Sequence, residues 1–178
     1  MTTHNGFLLI ADITGYTNFL ANTPTDVGGR ITADLLDGLI ETINPPFKVG
    51  NIAGDAVFVY APDDGNASGQ TVLEAVDSLY CAFADRVCAL RFGANCPDDP
   101  ALLAGALDLK VVVHYGEYAI NRIGDREELS GSAVVALHRL AKNTVTQDTG
   151  HSGYAMLTSL AVDHCLTSAP MEQTSGIA

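Results

Sequence analysis

Apolar and polar positions follow one another along the chain in blocks that predict strands and helices in turn. Residues 7–11 are all apolar and lead to Asp12, and such an uninterrupted run is typical of a strand covered on both faces. A turn and a short helix are expected next. Within residues 30–43 an apolar side chain recurs at every fourth position, which predicts a helix with one buried stripe. Pro45-Pro46 ends that helix.

A hairpin and a long helix are predicted for the middle of the chain. Residues 47–61 hold two strand patterns joined at Gly54-Asp55, and glycine at the first loop position suits a type II′ turn. The polar segment 62–69 is expected to be a loop. Residues 70–92 place apolar side chains at helical spacing and predict a long helix.

The second half of the chain predicts another hairpin, a helix and a late strand. Residues 93–105 show no clear period and are expected to be irregular. The turn of the hairpin is placed at Gly116-Glu117, again because glycine leads the loop. The predicted elements are strand 107–115, strand 118–123, helix 131–143 and strand 152–158, which leads into a short helix.

The order strand, helix, hairpin, helix, hairpin, helix, strand predicts an α+β fold. Hairpin-connected strands with helices on one face favour a ferredoxin-like split βαβ arrangement with an antiparallel-rich sheet. A chain of 178 residues suits one domain with a sizeable core. We expect that domain to comprise residues 1–168, with residues 169–178 as a flexible C-terminal tail.

The charge balance narrows the range of partners. The chain carries 9 basic and 21 acidic side chains, a formal net charge of −12. Nucleic acids and anionic membranes attract basic patches, so neither is an expected partner. An acidic protein still binds a nucleotide when metal ions and backbone amides neutralise the phosphates. The sequence has no apolar run of about 18 residues, and its first residues lack the basic region of a signal peptide. A cytoplasmic protein is therefore expected.

The four cysteines show no C-x-x-C spacing, which favours reduced thiols over a disulfide or a zinc site. Cys81 and Cys88 are seven residues apart on the long helix, and we expect them to pack in the core.

Two aspartates stand where the predicted sheet ends. Asp12 closes the first strand and Asp55 lies at the tip of the first hairpin, so the two carboxylates are expected to converge. Hard divalent cations such as Mg²⁺ prefer such oxygens and complete their shell with substrate phosphates. The turn at residues 13–17 offers backbone N–H groups at a helix start, which suits a polyphosphate. Two simpler interpretations stay open: Asp12 as a helix N-cap, and Gly54-Asp55 as a turn only.

Four segments resemble the motifs of class III nucleotidyl cyclases, in the order found in that family. ADITGYTNFL resembles the end of the first strand, and NIAGDAVFVY resembles the hairpin with Gly-Asp at its tip. LKVVVHYGEYAINRIG resembles the strand around His-x-Gly, and ELSGSAVVALHRL resembles the helix that follows it. Together they span about residues 6–143, and the combination is closest to a small, uncharacterised branch of cyclase-like domains.

The resemblance implies a homodimer that converts a nucleoside triphosphate into a 3′,5′-cyclic nucleotide and pyrophosphate. It implies that Asp12 and Asp55 hold two Mg²⁺ or Mn²⁺ ions, and that Arg139 stabilises the transition state. Each site would lie at the dimer interface and be completed by residues of the partner. The residues whose main chain would cradle the triphosphate are Ile13, Thr14, Gly15, Tyr16 and Thr17.

The positions that contact the base depart from the family. Asn51 stands where a lysine or glutamate usually selects the purine, and Glu128 replaces the usual aspartate. Asn51 carries a donor and an acceptor, so weak discrimination among bases is expected. Lys48 is three residues earlier and would point to the opposite face of a regular strand. Only a bulge at Gly50 would change that.

Val135 is the second departure, because the family has an asparagine four residues before Arg139. Both residues are predicted to lie opposite the buried face of their helix. Valine forms no hydrogen bond, so one catalytic contact is missing. Two functions remain open: a cyclase with altered base selection, and a degenerate cyclase-homology domain that binds a nucleotide or a protein without turnover. A purely structural dimerisation domain would leave Asp12 and Asp55 without a purpose. His114 is interpreted as a hydrogen-bonded residue of the sheet.

Overall fold

A mixed sheet with helices on both faces forms the protein. The computed structural model describes residues 2–94, 99–124 and 126–167, and of Arg126 only the backbone. The strands are β1 Thr2–Thr14, β2 Lys48–Ala53, β3 Ala56–Pro62, β4 Asp108–Ile123, β5 Arg126–Ser130 and β6 Tyr154–Leu157. The helices are α1 Tyr16–Ala21, α2 Thr25–Glu41, α3 Gly69–Gly93, α4 Ser132–Leu140, α5 Val145–Thr149 and α6 Ser159–Thr167, with a 3₁₀ helix at Pro100–Ala106.

Strand β1 is the central strand, which explains its apolar sequence. The strand order is β2-β3-β1-β4-β5, and β6 pairs in parallel with β4. Strand β1 is antiparallel to β3 on one side and to β4 on the other. Leu8 and Leu9 point to opposite faces of the sheet and both are fully buried. The unbroken apolar run is therefore needed for two separate cores.

Helices cover the two faces unequally. Leu9 shares a core with residues of α2, α3 and α6, whereas Leu8 shares the second core with Val134 and Leu137 of α4. The predicted α+β class is confirmed. The expectation of helices on one face holds for α2, α3 and α6 but not for α4, because the second apolar face of β1 also requires a cover.

The predicted second hairpin is wrong. Residues 108–123 form the single strand β4, which pairs with β1 continuously through Gly116. Glycine is required there for packing rather than for a turn, since a Cβ would lie 2.8 Å from the Cβ of Ala133 on α4. The chain turns instead at Gly124, where φ is +62°, and returns as β5.

The first hairpin and most of the helices agree with the sequence pattern. Gly54 has φ of +64°, as a type II′ turn requires of its first loop residue. The segment predicted to be irregular contains the 3₁₀ helix, while residues 95–98 lie outside the described residues. Residues 168–178, with the predicted tail, also lie outside them. Among the described residues, no helix combines the length and apolar character needed to cross a membrane.

The expectation that Cys81 and Cys88 pack in the core is wrong. Both side chains are exposed, and the described cysteines, Cys81, Cys88 and Cys165, are free thiols. The buried stripe of α3 is formed by Leu79, Phe83 and Val87. Cys96 lies outside the described residues.

Candidate functional site

Asp12 and Asp55 lie side by side at one end of the sheet, as the sequence predicts. The N–H of Ile13 donates to the carbonyl oxygen of Asp55 at 3.2 Å, and Asp12 lies opposite Ala56 in the β1–β3 pair. Burial and the neighbouring Asp12 charge raise the pKa of Asp55. Two carboxylates are therefore held together although they repel each other.

Lys110 partly neutralises this pair and was missed by the sequence analysis. It lies directly opposite Asp12 in the β1–β4 pair, and its Nζ is 2.8 Å from Asp12 Oδ2. Only 19% of the Lys110 side chain and 20% of the Asp12 side chain are exposed. The sequence contains one indication of this role. Lys110 is a lone cation at the start of an apolar strand, and Asp12 is a lone carboxylate at the end of another. With both carboxylates ionised, this cluster of two carboxylates and one ammonium has a net negative charge.

We expect Asp55→Asn to stabilise the metal-free protein at neutral pH. The pKa of Asp55 is raised in the folded state, so the ionised form opposes folding at pH values above that pKa. The amide removes the charge, and we expect a gain on the order of 0.5–1 kcal/mol, or about 2–4 °C in Tm. The gain should disappear as the pH falls below the ordinary aspartate pKa of 3.8, where the wild-type carboxyl is protonated in both states.

Thermal unfolding between pH 3 and pH 8 without divalent cations measures this gain and its loss. Asp34→Asn is the matched control, because Asp34 forms an ion pair with Arg86 at 2.9 Å and its loss should not stabilise the protein. A lower Tm for Asp55→Asn at neutral pH would contradict the repulsion between Asp12 and Asp55.

A groove of about 400 Å³ extends from the two aspartates to the start of α1, and we call it the aspartate groove. Its lining includes Lys110 and all five residues predicted to cradle a triphosphate: Ile13, Thr14, Gly15, Tyr16 and Thr17. Gly15 is the N-cap of α1, has φ of +87° and provides no side-chain cap. Asp12 is therefore not the N-cap, and the simpler interpretation of that residue is excluded. Thr14 Oγ1 is buried and has no hydrogen-bond partner among the described residues.

Asn51 and Glu128 also lie together, and Asn51 is on the same face of the sheet as Asp12. They line a small cavity of about 20 Å³ with Phe58 and His138. A second cavity, of about 280 Å³, is lined by Asn51, Phe58 and His138 on one side and by Asp12 and Asp55 on the other. The predicted base contacts and the predicted metal ligands therefore share one continuous surface.

The bulge at Gly50 exists, so the argument from strand alternation against Lys48 was wrong. The register of β2 shifts between Val49 and Asn51, and Lys48 lies opposite Tyr60 while Asn51 lies opposite Phe58. Because Tyr60 and Phe58 point to one face, Lys48 and Asn51 share it too. Lys48 nevertheless lines neither of the cavities that contain Asn51.

Arg139 and Val135 lie on the exposed side of α4, as predicted. Val135 is 51% exposed, and Arg139 is also exposed. Neither residue lines the aspartate groove or the cavity beside it. A single chain therefore does not bring Arg139 to Asp12 and Asp55. His114 is a buried sheet residue, as interpreted, with Nδ1 3.0 Å from Thr158 Oγ1, and burial lowers its pKa.

A divalent cation fits the chemistry of the aspartate pair, although the described residues contain no group of three or more His, Cys, Asp or Glu that could hold a metal. Mg²⁺ needs only one or two carboxylates when substrate phosphates supply further oxygens. Burial and then the charge of Asp12 raise the pKa of Asp55, and a bound cation would offset the repulsion between the two carboxylates. The metal-binding role of both residues stays a prediction.

The fold is that of class III nucleotidyl cyclases, and the predicted resemblance is confirmed. The guanylyl cyclase Cya2 superposes with a TM-score of 0.72 at 12% identity, over 92% of this chain and 79% of that one. A bacterial light-regulated adenylyl cyclase superposes with a TM-score of 0.71 at 15% identity, over 92% of this chain and 46% of that one. A class III adenylyl cyclase-like ATP-binding protein from Pseudomonas aeruginosa gives 0.69 at 19% identity, over 91% and 35%.

The chain belongs to a family described as a protein of unknown function (DUF2652), whose model matches residues 32–149. That range includes Asp55 and Arg139 but begins after Asp12. The uncharacterized protein Rv2561/Rv2562 of Mycobacterium tuberculosis is 28% identical over 113 residues, which are 64% of this chain and 52% of that protein. The chain thus spans about half the length of this curated relative.

Proposed function

We propose that this protein binds a nucleoside triphosphate with Mg²⁺ or Mn²⁺ and, as a homodimer, converts it into a 3′,5′-cyclic nucleotide and pyrophosphate. The observation that carries the proposal is the cluster of Asp12, Asp55 and Lys110 at the head of the aspartate groove. The fold shared with cyclases supports it. A second candidate, a domain that binds a nucleotide or a protein partner without turnover, is favoured by Val135.

Each residue of the cluster has a distinct task in this proposal. Asp12 and Asp55 would hold the divalent cation, which when bound lowers the pKa of the ribose 3′-hydroxyl and offsets phosphate charge. Lys110 holds the Asp12 carboxylate in place at 2.8 Å before a ligand arrives. With a cation bound at Asp12, the Lys110 ammonium would be free to contact a phosphate oxygen. The first N–H groups of α1 would donate to the outer phosphates.

The proposed homodimer follows from the position of Arg139. Its guanidinium is exposed and lines neither of the cavities that contain Asp12. A two-fold dimer would place Arg139 of each chain over the aspartates of the other. The exposed Val135, one helical turn away, supplies an apolar contact for the same interface.

Complementation between two inactive variants tests the shared site. We expect Asp55→Asn and Arg139→Ala each to abolish cyclic nucleotide formation, and an equal mixture to regain about a quarter of the wild-type activity. Half of the mixed dimers are heterodimers, and each heterodimer holds one complete site out of two. Asp12→Asn mixed with Asp55→Asn is the matched control and should stay inactive. Activity that never returns, or a strictly monomeric sedimentation profile with nucleotide, would contradict the shared site.

A further inference from the structure

We propose that His138, braced by Phe58, is the surface on which the nucleotide base stacks, so that ring stacking beside Asn51 and Glu128 is the main base contact. This inference rests on the proposed nucleotide binding and names the part of the ligand that this region contacts. His138, Phe58, Asn51 and Glu128 all belong to one chain, whichever protomer supplies the aspartates.

The space between Asn51 and Glu128 is too small for a base. That cavity measures about 20 Å³, which is room for about one water molecule. A base that contacts Asn51 and Glu128 must therefore lie outside the cavity, at its mouth. His138 lies at this mouth with Asn51 and Phe58, because all three line both the small cavity and the adjoining one of about 280 Å³.

The His138 ring is already held flat against an aromatic partner. Its centroid is 5.6 Å from that of Phe58, with 18° between the planes. Phe58 is buried, with 4% exposed, whereas His138 is exposed. One face of the imidazole is thus covered by Phe58, and the other face is open to a planar ligand.

Gly50 explains why Phe58 is a firm support. A Cβ at Gly50 would lie 2.8 Å from Phe58 Cδ1 and 3.0 Å from Leu129 Cδ1. The bare backbone of the β2 bulge therefore packs directly against the ring. This contact restricts the Phe58 ring on which His138 stacks.

Stacking of this kind predicts a particular selectivity. Every base has an aromatic face, so stacking tolerates a change of base and favours the larger purines. Asn51 offers both a donor and an acceptor and adds little discrimination between adenine and guanine. We expect ATP and GTP to bind with similar affinity, and CTP and UTP more weakly.

Calorimetry with two ligands separates stacking from phosphate binding. Wild type, His138→Ala and His138→Phe are titrated with ATP and with inorganic tripolyphosphate, each in the presence of Mn²⁺. The His138→Ala variant lacks the stacking contact, so it should bind ATP about tenfold or more weakly than wild type. His138→Phe should stay within about threefold of wild type, because the ring is kept. Tripolyphosphate affinity should not change in any variant, and thermal unfolding checks that all three proteins are folded.

Each other outcome overturns a stated part of the inference. Equal or tighter ATP binding by His138→Ala would show that the ring blocks the base instead of supporting it. An equal loss for ATP and tripolyphosphate would assign His138 a general structural role. If wild-type protein binds tripolyphosphate and ATP with equal affinity, the stacking contact alone is overturned. Wild-type protein that binds neither ligand would overturn the proposed function and the stacking contact with it.

Discussion

Asp12→Asn and Asp55→Asn should each lower the Mn²⁺-dependent affinity for a nucleoside triphosphate by about 100-fold or more. Each substitution exchanges a charged carboxylate for a neutral amide at the proposed cation site, where two carboxylates would attract the cation. Lys110 forms an ion pair with Asp12 and its charge also acts on Asp55, so either loss leaves one carboxylate beside that ammonium. We expect no cyclic nucleotide from either variant.

Folding is not expected to account for that loss. Asp55→Asn should raise Tm in the absence of metal, because it relieves the repulsion from Asp12 that contributes to the raised pKa of Asp55. The same protein is thus expected to be more stable and less able to bind. Asp34→Asn, at the ion pair with Arg86, serves as the charge-matched control with wild-type affinity expected. Calorimetric titration with and without Mn²⁺ measures the effect. Undiminished metal-dependent affinity in both aspartate variants would contradict the metal site.

Val135→Asn should raise cyclic nucleotide formation about tenfold or more. In the proposed reaction, asparagine at this position would supply one transition-state hydrogen bond, and such a bond is worth roughly 10²–10³ in rate. Because Val135 is 51% exposed and lies away from the core side of α4, the substitution should cost the fold of a single chain little stability. The measured quantity is cyclic nucleotide released with Mn²⁺ from wild type and variant.

The Val135 experiment also separates the two proposed functions. Val135→Asn combined with Asp12→Asn is the control that lacks the metal ligand, and Val135→Ala tests whether the apolar side chain matters by itself. A wild-type activity that asparagine does not raise would mean that another group stabilises the transition state here. Metal-dependent nucleotide binding without product from any variant would support the domain that binds without turnover.

Local patterns in the sequence were sufficient to predict the first strand, the first hairpin and the long helices, although not the second hairpin. The apolar run before Asp12 requires a strand that is covered on both faces, and Gly54-Asp55 requires a tight turn, because both follow from backbone preferences and burial within a few residues. The same patterns placed both aspartates at strand ends, and the order of the motifs indicated the cyclase-like fold.

Contacts between distant segments could be decided only by the tertiary structure. Lys110 reaches Asp12 because β4 pairs with β1 in one register, and no local pattern encodes a register across about 100 residues. The sequence predicts a turn at Gly116, but glycine is required there because Ala133 on a later helix approaches it closely. The Gly50 bulge and the stacking of His138 on Phe58 are also decided by contacts between distant segments, because they depend on the packing of β2, β3, β5 and α4.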